Sequence, residues 1–143
     1  MAITQLSVFL ENQPGRLAEA VRVISAAGVN IRAMSLADTK DFGILRIIVS
    51  DVEKTREILK TESVVIETKV IAVKMEDEAG ALYSILQVLE EADINVEYLY
   101  AFTGPQDASA YVVLRVNDTE AAEKTLKENN IPTLSDEEII SQL

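Results

Sequence analysis

The stretch ENQPGRLAEAVRVISAAGVNI, residues 11–31, returns later in the chain as EDEAGALYSILQVLEEADINV, residues 76–96. In both copies a glycine follows polar residues, and apolar residues then recur three and four positions apart before an Asn. This spacing places the apolar residues on one side of an α-helix, and the glycine predicts a turn before that helix. The chain therefore builds the same turn and helix twice.

The repeat extends through the whole of each half. Gly80 follows Gly15 by 65 residues, whereas Asp118 follows Asp51 by 67. The second copy therefore carries two extra residues, which we place in the loop TGPQD, residues 103–107. Solenoid repeats are about 20–50 residues long, so a unit of this length indicates a duplicated small domain instead.

Each copy predicts the element order βαββαβ. In the first copy, strands are predicted at residues 6–10, 31–37, 43–49 and 64–66, and helices from residue 16 and from residue 52 to about residue 60. In the second copy, strands are predicted at residues 70–75, 95–102 and 110–116, and helices at residues 82–91 and 119–128. Split βαβ units of this order form an antiparallel sheet with both helices on one face. We therefore predict an α+β fold of two ferredoxin-like βαββαβ sandwiches in tandem.

The predicted domains are residues 1–67 and residues 68–143, and the second domain ends in a short C-terminal helix. Pro132 lies in the candidate last strand of the second copy, which favours an edge position for that strand. Ser135 and Glu138 have the spacing of a capping box, which marks the start of a helix.

The central strands predict burial on both faces of the sheet. GILRIIVS, residues 43–50, and AYVVLRV, residues 110–116, are apolar at successive positions. A strand with one solvated face would alternate apolar and polar residues, so we expect the face opposite the helices to be covered as well.

The composition excludes several classes of function. The 143 residues include no histidine and no cysteine, so the commonest general base, the thiolate nucleophile and the usual transition-metal ligands are missing. A net charge of −11 opposes binding to nucleic acid or to anionic membranes. No apolar run reaches the ~20 residues of a membrane helix, and the first residues lack a signal-peptide pattern. We expect a cytoplasmic, non-enzymatic protein with no cofactor and no metal, which binds neither nucleic acid nor membranes.

These features together resemble the ACT domain, present twice. The resemblance rests on NQPGRL with GVNI in the first copy and on DEAGAL with DINV in the second, and it covers the chain to about residue 131. ACT domains are regulatory modules, most often for free amino acids, and they typically pair. Because the two copies fill the chain, the resemblance implies a free-standing amino-acid sensor or a regulatory subunit. It also implies a homodimer, and a metabolic enzyme as the regulated partner.

The resemblance further implies two ligand sites, each formed where a turn faces a neighbouring domain. The residues implied for the first site are Asn12, Gln13, Pro14, Gly15, Arg16 and Leu17, facing Asn95 and Val96. The residues implied for a second, weaker site are Asp77, Glu78, Ala79, Gly80, Ala81 and Leu82, facing Asn30 and Ile31. A helix N-terminus suits this role, because its free N–H groups favour a ligand carboxylate. The alternative is that each glycine only permits a tight turn and that each Asn bonds its own backbone.

The two turns differ in charge. Arg16 lies beside the first turn, whereas Glu76, Asp77 and Glu78 lie in the second turn without a basic neighbour. An anionic group should prefer the first turn, so we predict one strong site per chain. The acidic turn is either a solvated helix start or a place for a cationic ligand or metal ion.

Two other functions are alternatives to an amino-acid sensor. A ferredoxin-like fold also serves hydrolases such as acylphosphatases, for which Arg16 and Asn30 are the candidate residues. A ligand-free interaction module or regulatory subunit would need no small-molecule site at all. Binding of an amino acid distinguishes the sensor from both alternatives.

Overall fold

The computed structural model describes residues 2–103 and 109–142. Its elements, in chain order, are β1 (Ile3–Glu11), α1 (Arg16–Ala26), β2 (Ile31–Asp38), β3 (Phe42–Val49), α2 (Val52–Leu59), β4 (Val64–Glu76), α3 (Ala81–Glu91), β5 (Val96–Thr103), β6 (Ser109–Val116), α4 (Thr119–Glu128), β7 (Thr133–Leu134) and α5 (Asp136–Gln142). The predicted α+β fold with two βαββαβ units is confirmed. The extra loop residues predicted in TGPQD lie largely outside the described residues.

The chain divides into two compact units. The first unit is Thr4–Thr68, and the second unit holds the residues from Lys69 onward together with the first residues of the chain. The division falls inside β4. The predicted domains, residues 1–67 and 68–143, stay a prediction, because compact units and ancestral repeats need not share a boundary.

Strand β4 corrects one prediction. The sequence predicts separate strands at residues 64–66 and 70–75, but the structure has one strand of 13 residues. No Gly or Pro interrupts residues 64–76, so nothing ends the extended backbone between the two apolar runs.

The first unit has an antiparallel sheet with two helices on one face. β3 lies between β1 and β2, with Leu6 opposite Ile47 and Leu36 opposite Leu45. The apolar core of this unit consists of Leu6, Val8, Leu10, Ala20, Ile24, Val29, Leu45, Ile47, Val49 and Leu59. Burying these side chains stabilises the unit by about 25 cal/mol for each Å² of apolar surface.

The second unit repeats this arrangement. β6 lies between β4 and β5, and β7 pairs with β4. The apolar core of this unit consists of Ile71, Val73, Ile85, Leu89, Ile94, Val112, Leu114, Val116, Ala122 and Leu126. No helix in the described part of either unit is long and apolar enough to cross a membrane.

The strand registers also repeat. In the first unit Ala33 lies opposite Ile48, and in the second unit Tyr98 lies opposite Arg115. Tyr98 follows Ala33 by 65 residues and Arg115 follows Ile48 by 67, so the two pairs occupy equivalent positions of the repeat. In both units the register shifts just before this pair, as at a β-bulge. The duplication is therefore visible in strand pairing as well as in sequence.

The central strands are buried on both faces, as predicted. In β3, Ile47 belongs to the core beneath the helices and Ile48 points to the opposite face, yet their exposed fractions are 0% and 2%. In β6, Val112 and Val113 lie on opposite faces and both are fully buried.

Helix α5 begins at the predicted capping box. The Ser135 N–H donates to Oε1 of Glu138 at 3.2 Å, and the Glu138 N–H donates to Oγ of Ser135 at 3.2 Å. The preceding strand β7 has only two residues and follows Pro132 directly. The short C-terminal helix is therefore confirmed.

Candidate functional site

The two turns that precede α1 and α3 share one backbone geometry. The N–H of Gln13 donates to the carbonyl of Glu11 at 2.9 Å, and the N–H of Glu78 donates to the carbonyl of Glu76 at 3.0 Å. In the first turn the N–H of Arg16 also donates to the carbonyl of Gln13 at 3.3 Å. In the second turn the N–H of Ala81 donates to the carbonyl of Glu78, also at 3.3 Å. Both turns are thus held by main-chain hydrogen bonds, although their side chains differ in charge.

Gly15 and Gly80 have left-handed backbone, with φ of 86° and 91°. A residue with a Cβ atom is strained in this conformation by about 1–2 kcal/mol. No heavy atom lies within 4 Å of the position that a Cβ would take at either glycine. The backbone therefore favours glycine at both positions, while the space in front of each turn is open.

The helices differ in how their first turns are capped. Asp51 caps α2, because its Oδ1 accepts a hydrogen bond of 3.1 Å from the N–H of Lys54. Asp118 caps α4 in the same way, with the N–H of Ala121 as donor, also at 3.1 Å. The N-cap positions of α1 and α3 are Gly15 and Gly80, and no side chain caps either helix. The N-termini of α1 and α3 therefore keep N–H groups that attract an anion.

A cleft of about 390 Å³ opens beside Arg16, wholly within the first unit. It lies between α1, the end of β1, the start of β3 and the segment that follows α2. Its apolar lining includes Phe9, Val23, Phe42, Leu59 and Val64. Small-molecule pockets are about 300–1,000 Å³ in volume, so the cleft suits a small metabolite.

The charged side chains of the cleft are Glu11, Arg16, Glu19, Arg22 and Glu62. Arg22 holds both carboxylate oxygens of Glu19, through Nε at 2.9 Å and Nη2 at 2.7 Å. Arg16 makes a looser contact, since its Nη2 lies 3.9 Å from Oε2 of Glu11 and both side chains are slightly more than half exposed. An exposed ion pair contributes about 0–1 kcal/mol, so Arg16 can exchange Glu11 for a ligand carboxylate at little cost.

The bidentate contact changes the pKa of both partners. The hydrogen bond from Arg22 lowers the pKa of the Glu19 carboxyl below its ordinary value. The hydrogen bond to Glu19 raises the pKa of Arg22, and the charge of Glu62 adds a smaller effect in the same direction. Arg22 is therefore committed to Glu19, and Arg16 is the cation available to a ligand.

Replacing Arg22 by glutamine is expected to raise the pKa of Glu19 toward its ordinary value, because the largest cause of the lowering is removed. Carbon NMR of the carboxyl group across a pH titration measures this. The pKa of Glu19 is lower in the folded protein than in the unfolded chain. Its contact with Arg22 therefore stabilises the folded state at pH values above the ordinary pKa of Glu, and this stabilisation is lost as the pH falls through the lowered pKa. Glu57, whose pKa is lowered by Lys60, is the control and should not change. An unchanged Glu19 pKa would contradict the pairing.

Comparison with protein families matches residues 1–143 to the family described as the ACT domain pair. The chain is an ACT domain pair. A solved structure of a protein from Bacteroides thetaiotaomicron is 35% identical to it, with a TM-score of 0.91 over 97% of this chain and 96% of that one. Among curated proteins, no significant match was found.

Two aspartate kinase structures share the fold of the ACT pair at low identity. The ligand-free regulatory subunit from Thermus thermophilus is 13% identical, with a TM-score of 0.64 over 87% of this chain and 91% of that one. Aspartokinase III from Escherichia coli, in complex with lysine and aspartate, is 13% identical, with a TM-score of 0.52 over 90% of this chain and 31% of that one. Tandem ACT domains are typical of regulatory ligand-binding proteins.

Only some residues of the first turn of the ACT pair line the cleft. Arg16 lines the cleft, and Leu17 packs partly against the core of the first unit. The remaining residues of the turn are exposed and do not line the cleft: Asn12, Gln13, Pro14 and Gly15. Asn95 and Val96 line a different hollow, of about 420 Å³, within the second unit. That the first turn faces Asn95 and Val96 stays a prediction.

Asn30 and Asn95 are held through their backbones. The N–H of Asn30 donates to Oγ of Ser50 at 2.9 Å, and the N–H of Asn95 donates to Oδ1 of Asn117 at 2.9 Å. Each Asn carbonyl also accepts a hydrogen bond from the same partner's N–H. These bonds fix the start of β2, at Ile31, and the start of β5, which supports a structural role for both Asn backbones.

The second turn of the ACT pair is solvated. Ala81 and Leu82 are partly buried. The five residues before them are exposed: Glu76, Asp77, Glu78, Ala79 and Gly80. Within residues 2–103 and 109–142, no three His, Cys, Asp or Glu side chains are grouped so as to hold a metal ion.

Sequence reasoning missed several cleft residues, including Glu19 and Phe42. A signal was available in the repeat, because their matched positions in the second copy are Ser84 and Ser109. Core positions stay apolar in both copies, whereas these positions change in chemical type. Positions outside the cleft, such as Ala33 and its match Tyr98, change as well, so this signal marks candidates without locating the cleft.

Proposed function

We propose that this ACT pair is a non-catalytic regulatory protein that binds one free α-amino acid per chain in the cleft beside Arg16. The observation that carries the proposal is the loose ion pair between Arg16 and Glu11, 3.9 Å apart at the edge of a partly apolar cleft. This pair offers one positive and one negative group to a small ligand.

An α-amino acid matches that pair in charge. Its carboxylate and ammonium groups are attached to the same carbon, so they lie close enough to contact a cation and an anion that are themselves neighbours. The carboxylate would pair with the guanidinium of Arg16, which favours oxygen anions through its planar set of donors. The ammonium would pair with Glu11. The uncapped N-terminus of α1 adds a favourable potential for the carboxylate.

The second copy lacks this pair, which supports one site per chain. Arg16 is matched by Ala81, whereas Glu11 is matched by Glu76. Glu76 is followed by two further acidic residues, so a carboxylate that approached the second turn would meet three negative charges.

The regulated partner and the assembly are also proposals. The Thermus thermophilus protein is a regulatory subunit of aspartate kinase, so a metabolic enzyme is the partner class that we propose here. A homodimer and a cytoplasmic location stay predictions. The absence of histidine and cysteine from the sequence supports a non-catalytic role, and no observation favours the acylphosphatase alternative.

A thermal-shift screen of the twenty amino acids, followed by calorimetry, tests the proposal. A ligand at a hundredfold excess over its Kd stabilises the native state by about 2.7 kcal/mol. We expect a stoichiometry near one per chain. Arg16→Ala should weaken binding about tenfold or more, as loss of a charged hydrogen-bonding partner does. Glu78→Ala, in the second turn, is the matched control and should change little.

Other outcomes would decide against the proposal. Two equal sites per chain, or loss of binding through Glu78→Ala alone, would show that the charge difference between the turns has been read the wrong way round. An unchanged melting temperature with all twenty amino acids would favour a ligand-free interaction module.

A further inference from the structure

The apolar part of the cleft is exposed to solvent. The exposed fraction of Phe42 is 50% and that of Val64 is 63%, and Phe9 is partly buried. Large apolar side chains grouped at a concave surface with little cover are typical of ligand-binding grooves. A bound group that covered Phe42 and Val64 would remove apolar surface from water, which favours an apolar occupant.

Phe42 lies next to the charged pair. In the antiparallel ladder Phe42 is directly opposite Glu11, so the two side chains are on the same side of the sheet. Its position is held by Thr39, whose N–H donates to the Phe42 carbonyl at 2.7 Å and whose Oγ1 accepts from the Phe42 N–H at 3.3 Å. An apolar wall therefore stands beside the groups proposed to bind the head of an amino acid.

The remaining charged residues of the cleft, Glu19, Arg22 and Glu62, already interact with one another. Arg22 is committed to both carboxylate oxygens of Glu19. Glu62 acts on the same guanidinium, since its charge raises the pKa of Arg22. A ligand side chain that carried a charge would have to compete with this arrangement and would also leave Phe42 uncovered.

The second copy supports this reading by contrast. Phe42 is matched by Ser109 and Phe9 is matched by Lys74. The fold therefore does not require aromatic side chains at these two positions. Their presence only in the copy that also has Arg16 links the apolar wall to the proposed head-group site.

We infer that the cleft selects an amino acid with a large apolar side chain, aliphatic or aromatic, which covers Phe42 and Val64 while the head group contacts Arg16 and Glu11. The inference rests on the proposed function and narrows its ligand. The volume of about 390 Å³ lies at the lower end of the range of small-molecule pockets, which suits a ligand of the size of an amino acid.

Calorimetry with L-phenylalanine, L-leucine, L-alanine, L-lysine and L-aspartate tests the inference. L-phenylalanine or L-leucine is expected to bind at least about tenfold more tightly than the other three, since each buried methylene group adds to affinity. In Phe42→Ser, which installs the residue of the second copy, affinity for the preferred ligand should fall about tenfold. Affinity for L-alanine should change less than about twofold, because its side chain is too short to cover Phe42.

Two control variants keep the test decisive. Tyr83→Ser removes an aromatic side chain that is 65% exposed and lies outside the cleft, so it should leave both affinities unchanged. Phe42→Leu keeps an apolar wall and should keep the preference, which separates loss of apolar contact from any loss of folding.

The possible failures are distinguishable. If L-lysine or L-aspartate binds as tightly as L-leucine and L-phenylalanine, or if Phe42→Ser keeps the preference, the inference is wrong while the proposed function stands. If the amino acid that binds is instead a polar one outside these five, the inference is wrong while the proposed function stands. If none of the twenty amino acids binds, the proposed function fails, and the inference fails with it.

Discussion

Replacing Ile47 by alanine is expected to lower the free energy of unfolding by about 3 kcal/mol, the typical cost of removing a large aliphatic side chain from a packed core. Ile47 is fully buried in the middle of β3, opposite Leu6 on one side and Met34 on the other. The lost side chain leaves a cavity that the paired strands cannot close, because their hydrogen bonds fix the spacing of the sheet. Urea denaturation followed by circular dichroism measures the loss.

Leu36→Ala is the matched control for the core variant. Leu36 also lies in the first unit, in β2, but half of its side chain is exposed. We expect it to cost less than about 1 kcal/mol, the usual range for a partly exposed position. Equal losses for Ile47→Ala and Leu36→Ala would contradict the location of the core.

Gly15→Val is expected to lower the free energy of unfolding by about 2 kcal/mol, because φ at this position is 86° and a β-branched residue is strongly disfavoured there. The strain arises from the backbone alone, since a Cβ at Gly15 would have no heavy atom within 4 Å. Thermal denaturation without ligand measures the effect. The variant therefore tests the turn more than it tests ligand approach.

Gly15→Asn separates conformation from crowding. The chain itself uses left-handed backbone at Asp93, with φ of 58°, and at Asn130, with φ of 59°. Asn and Asp tolerate this conformation better than other residues with a Cβ, so Gly15→Asn should cost less than about 1 kcal/mol. If Gly15→Asn is as destabilising as Gly15→Val, the glycine is needed for a reason other than its φ angle.

The helices could be predicted from the sequence almost residue by residue. Helix α4 spans Thr119–Glu128, the range predicted, and α1 begins at Arg16, as predicted. Both start signals are local: an Asp cap before α4 and a glycine turn before α1. Local signals of this kind depend on a few neighbouring residues, so they can be read without a structure.

Two features could not be predicted in the same way. The continuity of β4 depends on pairing along its whole length. The sequence between its two apolar runs, ETK at residues 67–69, only weakly favours a strand or a loop. The cleft depends on residues far apart in the chain, because it joins Arg16 to Phe42 and Val64. Arg16 carried a visible charge signal, whereas the role of Phe42 depends on the strand register that places it opposite Glu11.

The turns before α1 and α3 are closed by main-chain hydrogen bonds, and this has a consequence for how the protein can diverge. After the duplication, side chains on one turn were free to change while the loop kept its shape. The same freedom makes the two loops exchangeable parts, since grafting residues 11–16 onto the second copy alters its charge without altering a bond that closes the loop. New recognition can evolve, or be engineered, in one half while the other half keeps its original chemistry.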